Sequence, residues 1–287
     1  MHTEKKDILN KYTIKWELSE IIFQQSLSNN SLIYTAVSKQ YGNVIFKILL
    51  NNGFDQEISA LKLFQGKNFC TLYEYSLSDR CYMMEHIIPG STLFEGTTRE
   101  ERIDIVSKIW KELHNPAPAD SPFPTYLNWL EYGKTETGKR RDCDALHHHL
   151  EKAENIIQDI SVKYPRKMLL HGDLHHENIL KNKNGGYTVI DPKGVIGDPV
   201  FDLSRFILDE FKDDLTSEPL NAIIDFTEML GYKIGIPCKI LLNCLYAETA
   251  IWLFREELAK GVSLKECDWL ISNMEIAYKM TESLKVL

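Results

Sequence analysis

The most constraining stretch of this 287-residue chain runs from Met168 to Asp191. It reads Met168-Leu169-Leu170-His171-Gly172-Asp173-Leu174-His175-His176-Glu177-Asn178-Ile179-Leu180, then a Gly185-Gly186 turn, then Tyr187-Thr188-Val189-Ile190-Asp191. Apolar runs bounded by polar and glycine-containing segments predict short strands, and the paired glycines predict the turn between them. Two short strands around a turn therefore deliver Asp173, Asn178 and Asp191 to one place.

Asp173 precedes Asn178 by five residues and Asp191 ends the following strand. This is the spacing of the catalytic loop H-R-D-x-x-x-x-N, here with Gly172 in the arginine's place, followed by a magnesium-binding aspartate, a phosphoryl-transfer pattern. The residue types suit that chemistry, because phosphoryl transfer needs positioning and charge neutralisation more than covalent help. Asn178 and Asp191 supply hard oxygen ligands for magnesium. Asp173 supplies an ionised carboxylate that orients the acceptor hydroxyl and takes its proton, with His171 fixing the loop. Two other readings of the passage are a polar hairpin with incidental acids, and a zinc- or iron-dependent hydrolase site built from His171, Asp173, His175 and His176.

Upstream, β-rich runs at Trp16–Phe23, Leu32–Lys39, Asn43–Leu50, Phe69–Leu77 and Arg80–Ile88 predict an antiparallel sheet, with one helix over Asp55–Phe64. Lys47 lies among the apolar residues of Val44-Ile45-Phe46-Lys47-Ile48-Leu49, where a charge needs a partner. Glu57 on the following helix is the expected counter-ion, and the α- and β-phosphates of a nucleotide are the expected ligand. The turn Ser26-Leu27-Ser28-Asn29-Asn30-Ser31 has no glycine, so Ser28, Asn29 and Asn30 are expected to serve as the phosphate loop through hydroxyl, amide and backbone N–H donors. After Tyr82-Met83-Met84-Glu85-His86-Ile87, adenine is expected to meet the carbonyl of Glu85 and the N–H of Ile87, with Met84 behind it.

Beyond Pro89-Gly90 the period becomes helical, opening on a capping box at Thr98 and Glu101. Pro-rich residues Asn115–Pro124 stop that helix, and further helices are expected over Asp142–Val162, Phe201–Phe211, Leu220–Leu230, Ile240–Leu258 and Leu264–Leu284. The class is α+β: an N-terminal nucleotide-binding lobe, 1–88, with a small antiparallel sheet, and a larger, mainly helical catalytic and substrate-binding lobe, 89–287. Between Asp191 and the helix near Phe201 there is no room for a long activation segment or an Ala-Pro-Glu motif. A peptide-docking platform is thus missing, and a small-molecule acceptor is expected.

Charge narrows the partners. The formal net charge of -8 disfavours nucleic acid and anionic membrane. Residues 1–170 carry 21 basic and 22 acidic side chains, residues 171–287 carry 12 and 19. An acidic C-terminal part suits a cationic acceptor, and Glu248 and Glu256 are candidate contacts for its guanidinium or ammonium groups. The charged start lacks a secretory pattern, no run of about 18 apolar residues occurs, and six scattered cysteines suggest neither zinc knuckle nor disulfide framework, so a cytoplasmic location is expected.

With these residues in view, the chain resembles the aminoglycoside-phosphotransferase family, and within it the streptomycin-phosphorylating and hydroxyurea-resistance branch. The His171–Leu180 block and Ile190-Asp191-Pro192-Lys193-Gly194-Val195-Ile196-Gly197-Asp198-Pro199 carry the likeness. The resemblance implies a bilobal protein-kinase-like fold, ATP or sometimes GTP as donor, magnesium, and a hydroxylated acceptor. It carries over Asp173 as catalytic carboxylate, Asn178 and Asp191 as metal ligands and Lys47 as phosphate-binding lysine, and it implies that Asp202 supports the catalytic loop. Aminoglycosides, homoserine, amino-alcohols, hydroxyurea and sugars all remain candidate acceptors, and a non-catalytic nucleotide-binding protein is the reading from another class.

Overall fold

A computed structural model describes residues 2–24, 31–50, 53–66, 68–119, 122–211, 220–258, 261 and 263–283. In chain order the first elements are α1 (His2–Lys15), β1 (Leu18–Gln24), β2 (Ser31–Ser38), β3 (Gly42–Leu49), α2 (Phe54–Phe64), β4 (Leu72–Ser76), β5 (Cys81–Glu85) and β6 (Pro89–Thr92). There follow α3 (Arg99–Leu113), β7 (Asn115–Pro116), α4 (Tyr126–Thr137), α5 (Asp144–Lys163), β8 (Met168–Leu170), β9 (Ile179–Asn182), β10 (Tyr187–Val189) and β11 (Val195–Gly197). Helices α6 (Val200–Phe211), α7 (Leu220–Ile234), α8 (Cys238–Trp252) and α9 (Leu264–Ser283) complete the order.

The chain forms two compact units, Met1–Thr92 with Ile179–Lys193, and Leu93–Asn178 with Gly194–Leu287. In the first, an antiparallel sheet has the order β1-β2-β3-β5-β4. Side chains alternate across a strand, so Val44, Phe46 and Ile48 of β3 share one face with each other, and Lys47 points to the opposite one. The first face is buried with Tyr12 of α1 and with Trp16 just past its end, Trp16 meeting Phe46 edge-on at 5.5 Å. Helix α1 was not among the expected elements, because its charges hide a short apolar contact made by two aromatic residues one turn apart. A second sheet, β10-β9-β6, belongs to the same unit, and β6 begins at the Pro89-Gly90 pair, beyond which the sequence predicts a helical period.

In the second unit the capping box forms as expected: Glu101 N–H donates to Thr98 Oγ1 at 3.3 Å and Thr98 N–H to Glu101 Oε2 at 2.8 Å. A second box, Thr125 with Asn128, starts the unexpected helix α4. Strand β8 lies between β11 and β7, and α8 packs against α5, α6, α7 and α9. The single helix expected over Ile240–Leu258 is instead α8 followed by a π-helical turn, Leu253–Glu257. Glu248 thus lies in α8 and Glu256 within the π-helical turn that follows it. Among the described residues no single helix is long and apolar enough to cross a membrane.

Candidate active site

In the first unit, register places Lys47 opposite Tyr82 on the sheet face that meets α2. Lys47 is only 5% exposed and its Nζ pairs with Glu57 Oε1 at 2.8 Å and with Asp191 Oδ1. The Tyr82 hydroxyl donates to the same Glu57 oxygen. Burial pulls the ammonium towards neutrality, but the carboxylates of Asp191 and Glu57 outweigh it and hold the Lys47 pKa above its ordinary value. Burial likewise raises Glu57, with Lys47 pulling the other way.

Asp191 follows β10 at φ 59, a left-handed conformation that aspartate tolerates better than most residues. The strand before it is pinned by Cys70 N–H to Val189 O at 3.0 Å and by Val189 N–H to Asn68 O at 2.8 Å, so the turn that presents Asp191 starts from a fixed point. At the end of β5, Met84 is buried with its Sδ 3.9 Å from Cys70 Sγ, and the Glu85 carboxylate accepts from Thr71 N–H and Oγ1 at 3.2 Å each. Ile87 is buried, and its carbonyl would lie 2.6 Å from a Cβ on Gly90, which has φ 77; glycine alone lets the chain turn so close to that oxygen. Ser28, Asn29 and Asn30 lie outside the described residues.

In the second unit the loop after β8 is held by helix α6. Asp202, fully buried, accepts the backbone N–H groups of His171 and Gly172 at 2.8 Å each and contacts His114 Nε2 at 2.9 Å. Arg205, one turn on, donates from Nε to Asp173 Oδ1 at 2.9 Å. Asp209 and Glu210, a further turn on, meet Nδ1 and Nε2 of His176 at 3.0 and 2.9 Å, while Phe206 stacks on its ring. Glu210 is backed by Arg102 and Arg99 of α3. His171 Nδ1 accepts from Asp173 N–H at 3.2 Å, and the Asn178 amide donates to Asp173 O at 2.9 Å, closing the loop on itself. Asp202→Ala would leave two buried N–H groups without an acceptor, so we expect a stability loss of about 3 kcal/mol or more, read by chemical denaturation.

The same arrangement bears on the metal-centre reading. Both ring nitrogens of His176 face carboxylates, and among the described residues no group of three or more His, Cys, Asp or Glu side chains is arranged to hold a metal ion.

Glu248 is also in the second unit. It is 3% exposed and accepts the Tyr126 hydroxyl at 2.9 Å, while Tyr126 itself stacks on Phe201 of α6. Burial pushes its pKa up to about 7, with Arg205 and Arg255 pulling it down and Asp173 adding to the rise. On the π-helical turn, Arg255 lies over the Trp129 ring at 3.6 Å and Glu256 is partly exposed.

The model of the aminoglycoside/hydroxyurea antibiotic resistance kinase family matches residues 22–231. The chain belongs to that family. As a member of it, the protein is a small-molecule phosphotransferase that uses a nucleotide and acts on a hydroxyl group. Streptomycin 3''-kinase of Klebsiella pneumoniae is 41% identical over 62 residues, which is 21% of this chain and only 23% of that protein. Among solved structures, the choline kinase of Streptococcus pneumoniae covers 99% of this chain and 100% of its own, with TM-score 0.66 and 16% identity. A thermostable mutant of an aminoglycoside phosphotransferase gives 0.61 at 13% identity, over 94% of this chain and 98% of its own. At such identities the likeness establishes the protein-kinase-like fold and nothing finer.

Within this kinase fold the sequence-derived residues group by unit. Lys47, Glu57 and Asp191 are brought together in the first, where Met84 and Glu85 end β5 and Ile87 lies two residues past it. Asp173, Asn178, His171 and Asp202 are brought together in the second. Sequence reasoning missed Tyr82, Arg205, Asp209 and Glu210. The signal for the last three was present as charges inside an otherwise apolar helix, Phe201-Asp202-Leu203-Ser204-Arg205-Phe206-Ile207-Leu208-Asp209-Glu210-Phe211, every residue of which is buried.

Glu248 makes stability depend on pH. Its folded pKa of about 7 exceeds the ordinary 4.5, so between those values the folded state keeps a proton that the unfolded chain releases, and stability falls as pH rises. Above pH 7 the decline stops, after a loss of about 3 kcal/mol. Glu248→Gln is expected to remove this slope, seen by comparing denaturation midpoints of the two proteins across that window.

Proposed function

We propose that the protein transfers the γ-phosphoryl group of ATP, with magnesium, to a hydroxyl of a small cationic acceptor, and that a streptomycin-like aminoglycoside is the first candidate, so that transfer inactivates the antibiotic. The observation that carries this reading is the Asp173 loop, whose backbone is held by Asp202 and whose carboxylate is held by Arg205. A general base must present an ionised carboxylate in a fixed direction, and this loop is built to do so.

In the proposed division of labour, the first unit binds the nucleotide and the second binds the acceptor. Lys47, kept charged by its two carboxylates, holds the α- and β-phosphates, with Glu57 fixing its direction. The oxygen atoms proposed for magnesium are of the hard type that the ion takes: Asn178 Oδ1, whose amide nitrogen is engaged with Asp173 O, and the Asp191 carboxylate. When bound, the ion neutralises phosphate charge as it moves between oxygens. Asp173 orients the acceptor hydroxyl and takes its proton.

The acidic side chain of Glu248 is assigned to a positive group of the acceptor, with Glu256 as a more exposed second contact. A cation arriving beside Glu248 favours its ionised form, which burial otherwise disfavours. The relative named a streptomycin kinase supports the choice of acceptor, although the match covers a small part of that protein.

The test is nucleotide consumption with magnesium over a panel of aminoglycosides, amino-alcohols, homoserine, hydroxyurea and sugars, with ATP and GTP compared and the acceptor's mass followed. One added phosphate on streptomycin or a related aminoglycoside is the expected result. Preference for a neutral or anionic acceptor would overturn the electrostatic part of the proposal.

A further inference from the structure

Arg205 is 5% exposed, and its guanidinium sits between two carboxylates, with Nε 2.9 Å from Asp173 Oδ1 and Nη1 3.4 Å from Asp209 Oδ1. One face of it lies 5.9 Å from the Trp252 ring centre. Taking this charge out of water is costly, and Asp209 is already engaged with His176, so holding α6 together does not require Arg205 to reach the catalytic loop.

Placing an arginine on a general base also has a chemical cost, because a neighbouring positive charge makes a carboxylate a weaker proton acceptor. What the arginine supplies in return is direction. Its rigid plane fixes where its N–H groups point, and with Nη1 turned to Asp209 the Nε–H is aimed at Asp173 Oδ1, a direction that the point charge of a lysine does not impose. Asp202 and Arg205 are three residues apart on α6, hence on one helical face, and the first holds the loop backbone while the second holds the side chain that the loop presents. One helix thus anchors both the backbone leading into Asp173 and one oxygen of its carboxylate.

We propose that Arg205 is a positioning residue for phosphoryl transfer: it sets the orientation of the Asp173 carboxylate towards the acceptor hydroxyl, and acts on the reaction only through Asp173. The inference rests on the reading of Asp173 as the base.

The experiment compares the parent protein with Arg205→Ala, Arg205→Lys, Asp173→Ala and the Arg205→Ala/Asp173→Ala double variant. Turnover is measured with Mg-ATP and streptomycin, or with whichever panel compound is phosphorylated; slow ATP hydrolysis, with water in the acceptor's place, gives the same comparison if none is. Melting temperature and nucleotide affinity are followed for each variant.

Arg205→Ala should lower kcat by about 100-fold, the scale of a misplaced reacting group, with both KM values and nucleotide affinity unchanged. Arg205→Lys should fall between parent and alanine variant. Millimolar guanidinium chloride should restore part of the activity of Arg205→Ala and none to Asp173→Ala. The double variant should be no slower than Asp173→Ala, because residues that act as a unit are not additive. Parental kcat in Arg205→Ala, a further loss in the double variant, or a loss that neither lysine nor guanidinium lessens would overturn the proposal. Parental activity in Asp173→Ala would instead remove the base itself, so the two failures are told apart.

Discussion

Asp173→Ala is expected to reduce transfer by about 10³-fold while leaving nucleotide affinity nearly unchanged. The size follows from losing a general base, and the selectivity follows from its place in the second unit, on the loop that Asp202 and Arg205 hold. Alanine also strips the buried Arg205 of one of its two carboxylates, so some loss of stability should accompany the loss of rate. Asp173→Asn separates the effects: it keeps an oxygen facing Arg205 but cannot accept the hydroxyl proton, so it should melt closer to the parent and be just as slow. Single-turnover rates and nucleotide titrations of both variants check this, and parental turnover in either would take the role from Asp173.

The second large effect is expected at Asp191. Asp191→Ala should weaken nucleotide binding in the presence of magnesium by about 10- to 100-fold, the scale of a charge-assisted contact. It should also abolish the difference between titrations with magnesium and with chelator. Lys47→Ala should weaken binding under both conditions, because its proposed contact is with phosphate oxygens directly and not through the ion. Lys47→Ala further takes the ammonium from the largely enclosed Glu57 carboxylate, 14% exposed, while leaving the Asp191 charge that raises its pKa, so Glu57 should then favour its protonated form. A magnesium effect that survives Asp191→Ala intact would remove it from the ligand set.

The parts of this molecule that could be read from its sequence are those fixed by period and spacing. Strands β2 and β3 announce themselves by β-branched and aromatic runs, and α3 by its capping box. Lys47 was conspicuous because a lysine among apolar neighbours must find a partner, and the partner came from the next helix. What escaped was fixed by packing. Helix α1 depends on Tyr12 and Trp16 meeting Phe46, a contact no local pattern encodes. Helix α4 starts just past a proline-rich stretch that reads as loop.

The charges of α6 were the largest omission. A buried Arg205 or Glu210 looks in a sequence like an interruption of an apolar face, and only the loop it pairs with explains its presence. Glu248 shows the converse. Its helix was foreseen and its acidity noted, but its burial beside Tyr126 and its raised pKa come from neighbours on other elements.

The chain passes between its two units three times, because Ile179–Lys193 returns to the first unit after the second has begun. Neither unit is therefore a contiguous piece of gene. A fragment ending at Thr92 would lack Asp191, leaving the Lys47 ammonium a single carboxylate, and would lose the Val189 backbone that Asn68 and Cys70 bond. Swapping the nucleotide-binding part between relatives by a single crossover would split it in the same way. Exchange of this unit requires two inserts that move together, so recombinants made at one junction should yield insoluble or inactive protein even when each parent is sound.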